Sequence, residues 1–142
     1  MSDPNGTVAT RLDGHVLTIH VDRSDKLNSF TPEMFDALSD AMTELEDTDA
    51  AWVGLLTFEG KHTTAGLDLS RFASSMADGT RDAERAEDTR VDAFAMRQRC
   101  TKPVVTAVQG ICFTIGIEMM LGVDIVVAAD DARFCQMEPK RG

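Results

Sequence analysis

The 142-residue chain is predicted to be an α/β domain, because strand-like and helix-like segments alternate along its sequence. Three observations carry that prediction. Two β-rich runs, residues 8–12 and 15–21, flank Asp13-Gly14, a dipeptide suited to the positive-φ turn of a tight hairpin. Thr31-Pro32-Glu33 then opens a segment whose apolar residues recur at helical spacing. Further apolar runs at 52–58 and 104–108 are set off by glycine, proline or charge, as strands are.

Each element has its own justification. Leu17, Ile19 and Val21 alternate with more polar neighbours, so one face of the second strand is buried. In the first helix Thr31 is the N-cap, Pro32 lies in the first turn and Glu33 sits near the positive end of the dipole. Met34, Phe35, Leu38, Met42 and Leu45 form its core stripe. The strand at 52–58 ends at Glu59-Gly60, and a loop of small residues from Lys61 onward runs into a short helix.

From Asp78 to Asp92 six acidic and three basic residues mark a solvated stretch. Residues 73–90 are expected to be a mobile acidic loop inside one domain spanning 1–142. A helix is expected to resume near Val91 and run to about Arg99. Pro103 precedes the strand at 104–108, and Gly110 begins the loop to a helix carrying Glu118. Strands follow at 124–129 and 132–135, with Asp130-Asp131 turning between them. Right-handed ββα or βαβ units fit this order, and periodicity alone leaves a Rossmann sheet and other arrangements open. No Gly-x-Gly-x-x-Gly follows an early strand and no Walker A sequence occurs, so nucleotide cradles are unsupported.

Composition narrows the function. The net charge of −10 argues against nucleic-acid or anionic-membrane surfaces, which need fields of Lys and Arg. An anionic substrate would have to meet local basic groups. Apolar residues make up 43%, enough for a core. Cys100, Cys112 and Cys135 are scattered, so buried free thiols in a reducing cytosol are the economical reading, and a cytoplasmic location is expected. The first residues carry no basic and apolar leader pattern, and the longest apolar run is broken by Glu118 and Asp124. Neither a secretory signal nor a membrane span is expected. His15, His20 and His62 lie far apart in sequence and no zinc-ligand spacing occurs.

Chemistry is signalled by Glu118, which with Asp124 is the only charge between Ile111 and Ala129. A carboxylate among such neighbours is expected to be buried at a cost of several kcal/mol, which a functional site can justify. Glu138 follows twenty residues later, and two carboxyls in apolar surroundings can act as acid and base. Thr114-Ile115-Gly116 precedes Glu118 at a helix start, where backbone N–H groups are free to hold a developing negative oxygen. The turn at Ala65, Gly66 and Leu67, before the other short helix, is a second source of such donors. Taken alone, Glu118 is as readily a helix-stabilising group, Glu138 a surface ion-pair former, Asp124 a partner of strand-start backbone and Asp68 a loop-ordering group. Met119, Met120 and Met137 read as core or pocket fillers.

The stretches Asp25-Lys26-Leu27-Asn28-Ser29-Phe30-Thr31-Pro32-Glu33-Met34, Thr64-Ala65-Gly66-Leu67-Asp68-Leu69 and Lys102 to Gly110 resemble the crotonase (enoyl-CoA hydratase/isomerase) superfamily. So do Gly116-Ile117-Glu118, Asp124-Ile125, Asp131-Ala132-Arg133-Phe134 and Gln136-Met137-Glu138, in the family's order and spacing. The resemblance implies a spiral of ββα units with acyl-CoA bound across it. It implies thioester-oxygen contacts from the backbone N–H groups of Leu67 and Ile115, and water activation by Glu118 and Glu138. Lys26, Leu27, Ala65, Gly66, Asp68 and Leu69 fall along the implied CoA and substrate channel. No metal or redox cofactor is implied, coenzyme A entering only as the substrate thioester. A homo-oligomer, trimer or hexamer, is implied as well.

Three features depart from the family's pattern. Ile115 stands in what is usually a glycine run; its N–H remains, but its branched side chain restricts φ and fills space. Met137 stands where proline is common. The sequence ends at Gly142, whereas family hydratases continue into a C-terminal helical region. The expected fold is a crotonase-like (ClpP/crotonase) spiral truncated before that region, a fragment or a shortened homologue exposing apolar surface that an extension would cover. The expected function is enoyl-CoA hydration across the C2–C3 bond. Double-bond isomerisation, or a non-catalytic acyl-CoA-binding or assembly module, is the alternative.

Overall fold

Gly14, at φ 57°, turns the chain between β1 (Thr7–Asp13) and β2 (Val16–Asp22), which pair antiparallel with Asp13 opposite Val16. The computed structural model describes residues 3–78 and 88–137. Leu17, Ile19 and Val21 on β2 are buried, as their alternation requires. α1 (Pro32–Asp47) starts where Thr31, extended, accepts a hydrogen bond on Oγ1 from the Met34 N–H at 3.3 Å. It buries Met34, Leu38, Ala41, Met42 and Leu45. Phe35 is half-buried, its ring 5.2 Å from Phe30, 5.8 Å from Phe72 and 5.6 Å from Phe94.

α1 is the crossover that lets β3 (Val53–Phe58) run parallel to β2. β4 (Val104–Val108) and, further along, β6 (Ile125–Ala128) extend the same sheet in the order β1-β2-β3-β4-β6. A second, two-stranded sheet pairs β5 (Ile111–Phe113) with β7 (Arg133–Cys135), also parallel. Isolated bridges join Phe30 to Leu67 and Thr64 to Cys112, carrying that layer back through earlier loops. Each turn of the chain therefore lays one segment in each layer: β2 then Phe30, β3 then residues 64–67, β4 then β5, β6 then β7. α1, α2 (Leu69–Asp78) and α3 (Ile115–Gly122) follow the first three turns. This is a spiral of ββα turns. It also puts the starts of α2 and α3 on adjacent turns.

Several expectations need revision. β5 falls in what reads as loop after Gly110. No helix runs over 91–99; those residues form turns and bends. Asp92 explains why: its Oδ1 accepts from the Phe94 N–H at 3.0 Å, its carbonyl accepts from Ala95 and its N–H reaches the Gln98 carbonyl. Such side-chain capture of backbone donors competes with helix, and Ala95 takes a positive φ of 53°. Of the acidic stretch 73–90, the part up to Asp78 is helix and 79–87 lie outside the described residues. Arg90 is fastened to Asp88 at 2.7 Å, Asp40 at 2.8 Å and Asp36 at 3.3 Å, which pins the chain onto α1. β6 and its surroundings are bare: Ile125, Val126, Val127, Leu121 and Phe134 are all exposed. No described helix is long and apolar enough to cross a membrane.

Candidate active site

The loop before α2 is fixed from inside. Thr64, fully buried, donates from Oγ1 to the Asn28 carbonyl at 2.7 Å and accepts from the Gly66 N–H at 3.0 Å. The Ala65 N–H donates to the Leu27 carbonyl at 2.9 Å, which brings the predicted channel residues Lys26, Leu27 and Ala65 together. Leu27 and Asn28 hold this corner at φ 53° and 50°; Lys26 and Leu27 are exposed. Asn28 is buried, and its amide binds the Arg23 N–H and the carbonyls of Glu59 and His62.

Phe30 uses both its backbone groups on either side of Leu67: its N–H donates to the Gly66 carbonyl and its carbonyl accepts from the Asp68 N–H. In a parallel bridge of this kind the N–H of the intervening residue, Leu67, faces away from Phe30. Gly66 has φ 104°, and a Cβ there would lie 2.5 Å from Thr114 Oγ1. Glycine is required by conformation and by space.

Thr114 is the residue from which α3 starts. Its φ of 48° with ψ of −110° is strained for a residue with a branched side chain. The Thr64–Cys112 bridge sets the register that places Gly66 against Thr114. Gly116 packs on Thr64 in the same way, 2.6 Å separating its would-be Cβ from Thr64 Cγ2. The two loops whose N–H groups were singled out are thus in contact through Gly66–Thr114 and Thr64–Gly116. Ile115 opens α3, where N–H groups lack intrahelical partners. Its side chain is buried in the core cluster, so its bulk is directed into packing.

Glu118 corrects the expectation of a buried carboxylate: it is exposed. α3 buries Ile115, Gly116, Met119 and Met120, and Glu118 shares the outward face with Leu121. Because nearly every residue of α3 is apolar, the sequence does not reveal which face looks outward. Glu118 Oε1 accepts from Gln136 Nε2 at 3.4 Å. Glu138 lies outside the described residues. Leu69, the first residue of α2, is exposed.

Asp68 is committed to the loop. Ser70 Oγ donates to its Oδ1 at 2.6 Å and Arg23 Nη1 to its Oδ2 at 3.0 Å. The Ser70 hydroxyl, then the Arg23 guanidinium, hold its carboxyl below the ordinary carboxylate range. Arg23 itself is 5% exposed and also binds the carbonyls of Pro4 and Ser29. Neither Arg23 nor Asn28 is signalled by periodicity, since each is a single polar residue whose partners lie in distant loops. Asp124 accepts from the Val104 N–H at 2.8 Å and from Arg99 at 3.1 Å, the strand-start role expected of it. Among the described residues no three His, Cys, Asp or Glu side chains gather to hold a metal ion.

A ββα spiral with two glycine-bearing loops in contact at neighbouring helix starts is the crotonase fold. The solved structure of an enoyl-CoA hydratase from Mycobacterium marinum matches it with a TM-score of 0.77 at 33% identity, over 99% of this chain and 52% of that one. The sequence pattern of the enoyl-CoA hydratase/isomerase family matches residues 11–142, and the chain belongs to that family. An enoyl-CoA hydratase from Mycobacterium tuberculosis is 30% identical over 98% of this chain and 52% of its own length. The 1,2-epoxyphenylacetyl-CoA isomerase of Escherichia coli is 29% identical over 95% of this chain and 52% of its own. The chain spans about half the length of these relatives.

Proposed function

We propose that the protein to which this sequence belongs hydrates the C2–C3 double bond of an enoyl-CoA thioester. The observation that supports this most is the Gly66–Thr114 contact, which joins the loop of Leu67 to the start of α3 at Ile115. The Leu67 and Ile115 N–H groups are the donors for the thioester oxygen. One glutamate takes a proton from water as the water oxygen bonds to C3. The C2–C3 π pair shifts to C1–C2 as the carbonyl π pair moves onto the thioester oxygen, and the enolate collapses as the carbonyl re-forms and C2 takes a proton from the second carboxyl. Glu118 and Glu138 share these roles. Exposed Leu27, whose carbonyl accepts from the Ala65 N–H, and its exposed neighbour Lys26 line the entry for the coenzyme A moiety, with Gly66, Asp68 and Leu69 next along the channel. No metal or redox cofactor has a part in this reaction, and the assembly is a homo-oligomer.

Isomerisation is the second reading, favoured by the kinship to an isomerase and by its need for one carboxylate to carry the proton. Glu118→Gln and Glu138→Gln, assayed separately on a short enoyl-CoA, divide the two. Hydration requires loss of turnover in both. Loss in Glu118→Gln alone would replace hydration with isomerisation.

A further inference from the structure

Gln136 follows β7 by one residue, and β7 runs parallel to β5, the strand that leads into α3. The Thr114 N–H donates to the Cys135 carbonyl at 3.0 Å, fastening the end of β7 to the start of α3. Gln136 is thereby set beside the first turn of α3, where its Nε2 donates to Glu118 Oε1 at 3.4 Å. The other end of the amide, Oε1, is buried and has no hydrogen-bond partner among the described residues. A buried amide oxygen without a donor is unfavourable and calls for a reason. The reason on this geometry is the carboxylate: turning the amide over would set its oxygen against Glu118 Oε1.

We infer that Gln136 is a positioning residue for Glu118, holding the carboxylate in one orientation at the start of α3. The inference rests on the reading of Glu118 as a reacting carboxylate. An exposed glutamate on a helix otherwise samples several rotamers, and proton transfer demands one geometry. A neutral amide orients the carboxylate without itself competing for the proton, which a lysine or a second carboxyl would do.

Two readouts test this. In ¹⁵N-labelled protein the Gln136 NH₂ pair is identified by its loss in Gln136→Met. Glu118→Ala is expected to move that pair while leaving the pair of Asn28, held by the Glu59 and His62 carbonyls, in place. An unmoved Gln136 pair overturns the inference, even in a preparation without turnover. In the assay, Gln136→Met is expected to lower kcat about tenfold with KM nearly unchanged and the melting temperature preserved. An unchanged kcat, or a loss confined to KM, overturns it. Should Glu118→Gln leave turnover intact, the reading of Glu118 fails and this inference with it. Should Glu118→Gln abolish turnover while Gln136→Met does not lower kcat, only the inference fails.

Discussion

Arg23 Nη1 lies 3.0 Å from Asp68 Oδ2, joining the residue after β2 to the residue after Leu67 across 45 positions of sequence. The guanidinium is almost wholly enclosed, and the carboxylate is 21% exposed. A single buried pair thus holds the loop that presents the Leu67 amide, without being part of the reacting set. Arg23→Met is expected to destabilise the chain by about 2–4 kcal/mol, the loss of a buried pair discounted for the partial exposure of Asp68. Urea denaturation checks this; a change within experimental scatter would mean that the pair is not what holds the loop.

Gly66→Ala should be far more costly than Gly14→Ala. At Gly66 a Cβ meets Thr114 Oγ1 and φ is 104°, whereas at Gly14 φ is 57° with nothing within 4 Å. A loss of about 1 kcal/mol at Gly14 and of more than about 2 kcal/mol at Gly66 is expected from backbone strain and overlap. Melting temperatures of the two variants, measured side by side, give the comparison. Equal losses would dissolve the Gly66–Thr114 contact on which the site rests.

The clamp around Arg90 sets an acid limit. Hydrogen bonds from Arg90 hold Asp88 at about 2 against an ordinary 3.8. A depressed carboxylate contributes stability that is complete above its unfolded value and is lost as pH falls through its folded value. The stability difference between the chain and Asp88→Asn should therefore be constant above about pH 5 and vanish on acidification toward about pH 2. Thermal melts across that range measure it. A difference that persists at the acid end would refute the assignment.

Burial raises the Cys112 thiol to about 11, and burial is the main cause of the same value at Cys100. Only thiolate is readily alkylated. At neutral pH iodoacetamide should label Cys112 slowly in the folded chain and rapidly in urea, as read by mass spectrometry. Fast labelling in the folded state would mean that β5 opens readily.

Much of the scaffold is legible in the sequence because local rules decide it. Asp13-Gly14 makes its turn and Thr31-Pro32 starts α1 without help from distant residues. Residues 91–99 defeat the same rules, since Asp92 trades helix bonds for turns. β5 is short and exists by pairing with β7, a partner that no local pattern announces. Glu118 shows the limit for sites: apolar neighbours in sequence suggest burial, yet on α3 Ile115, Met119 and Met120 take the core side while Glu118 is left outside with Leu121. Gln136 and Arg23 acquire their roles only through contacts made across the spiral.

The most direct measurement is hydration of a short enoyl-CoA by this 142-residue chain beside its Glu118→Gln/Glu138→Gln double variant. Turnover by the chain, abolished in a double variant that still melts cooperatively, is the expected result. Equal turnover in both, above the uncatalysed rate, would contradict the assignment of the reaction to these two glutamates.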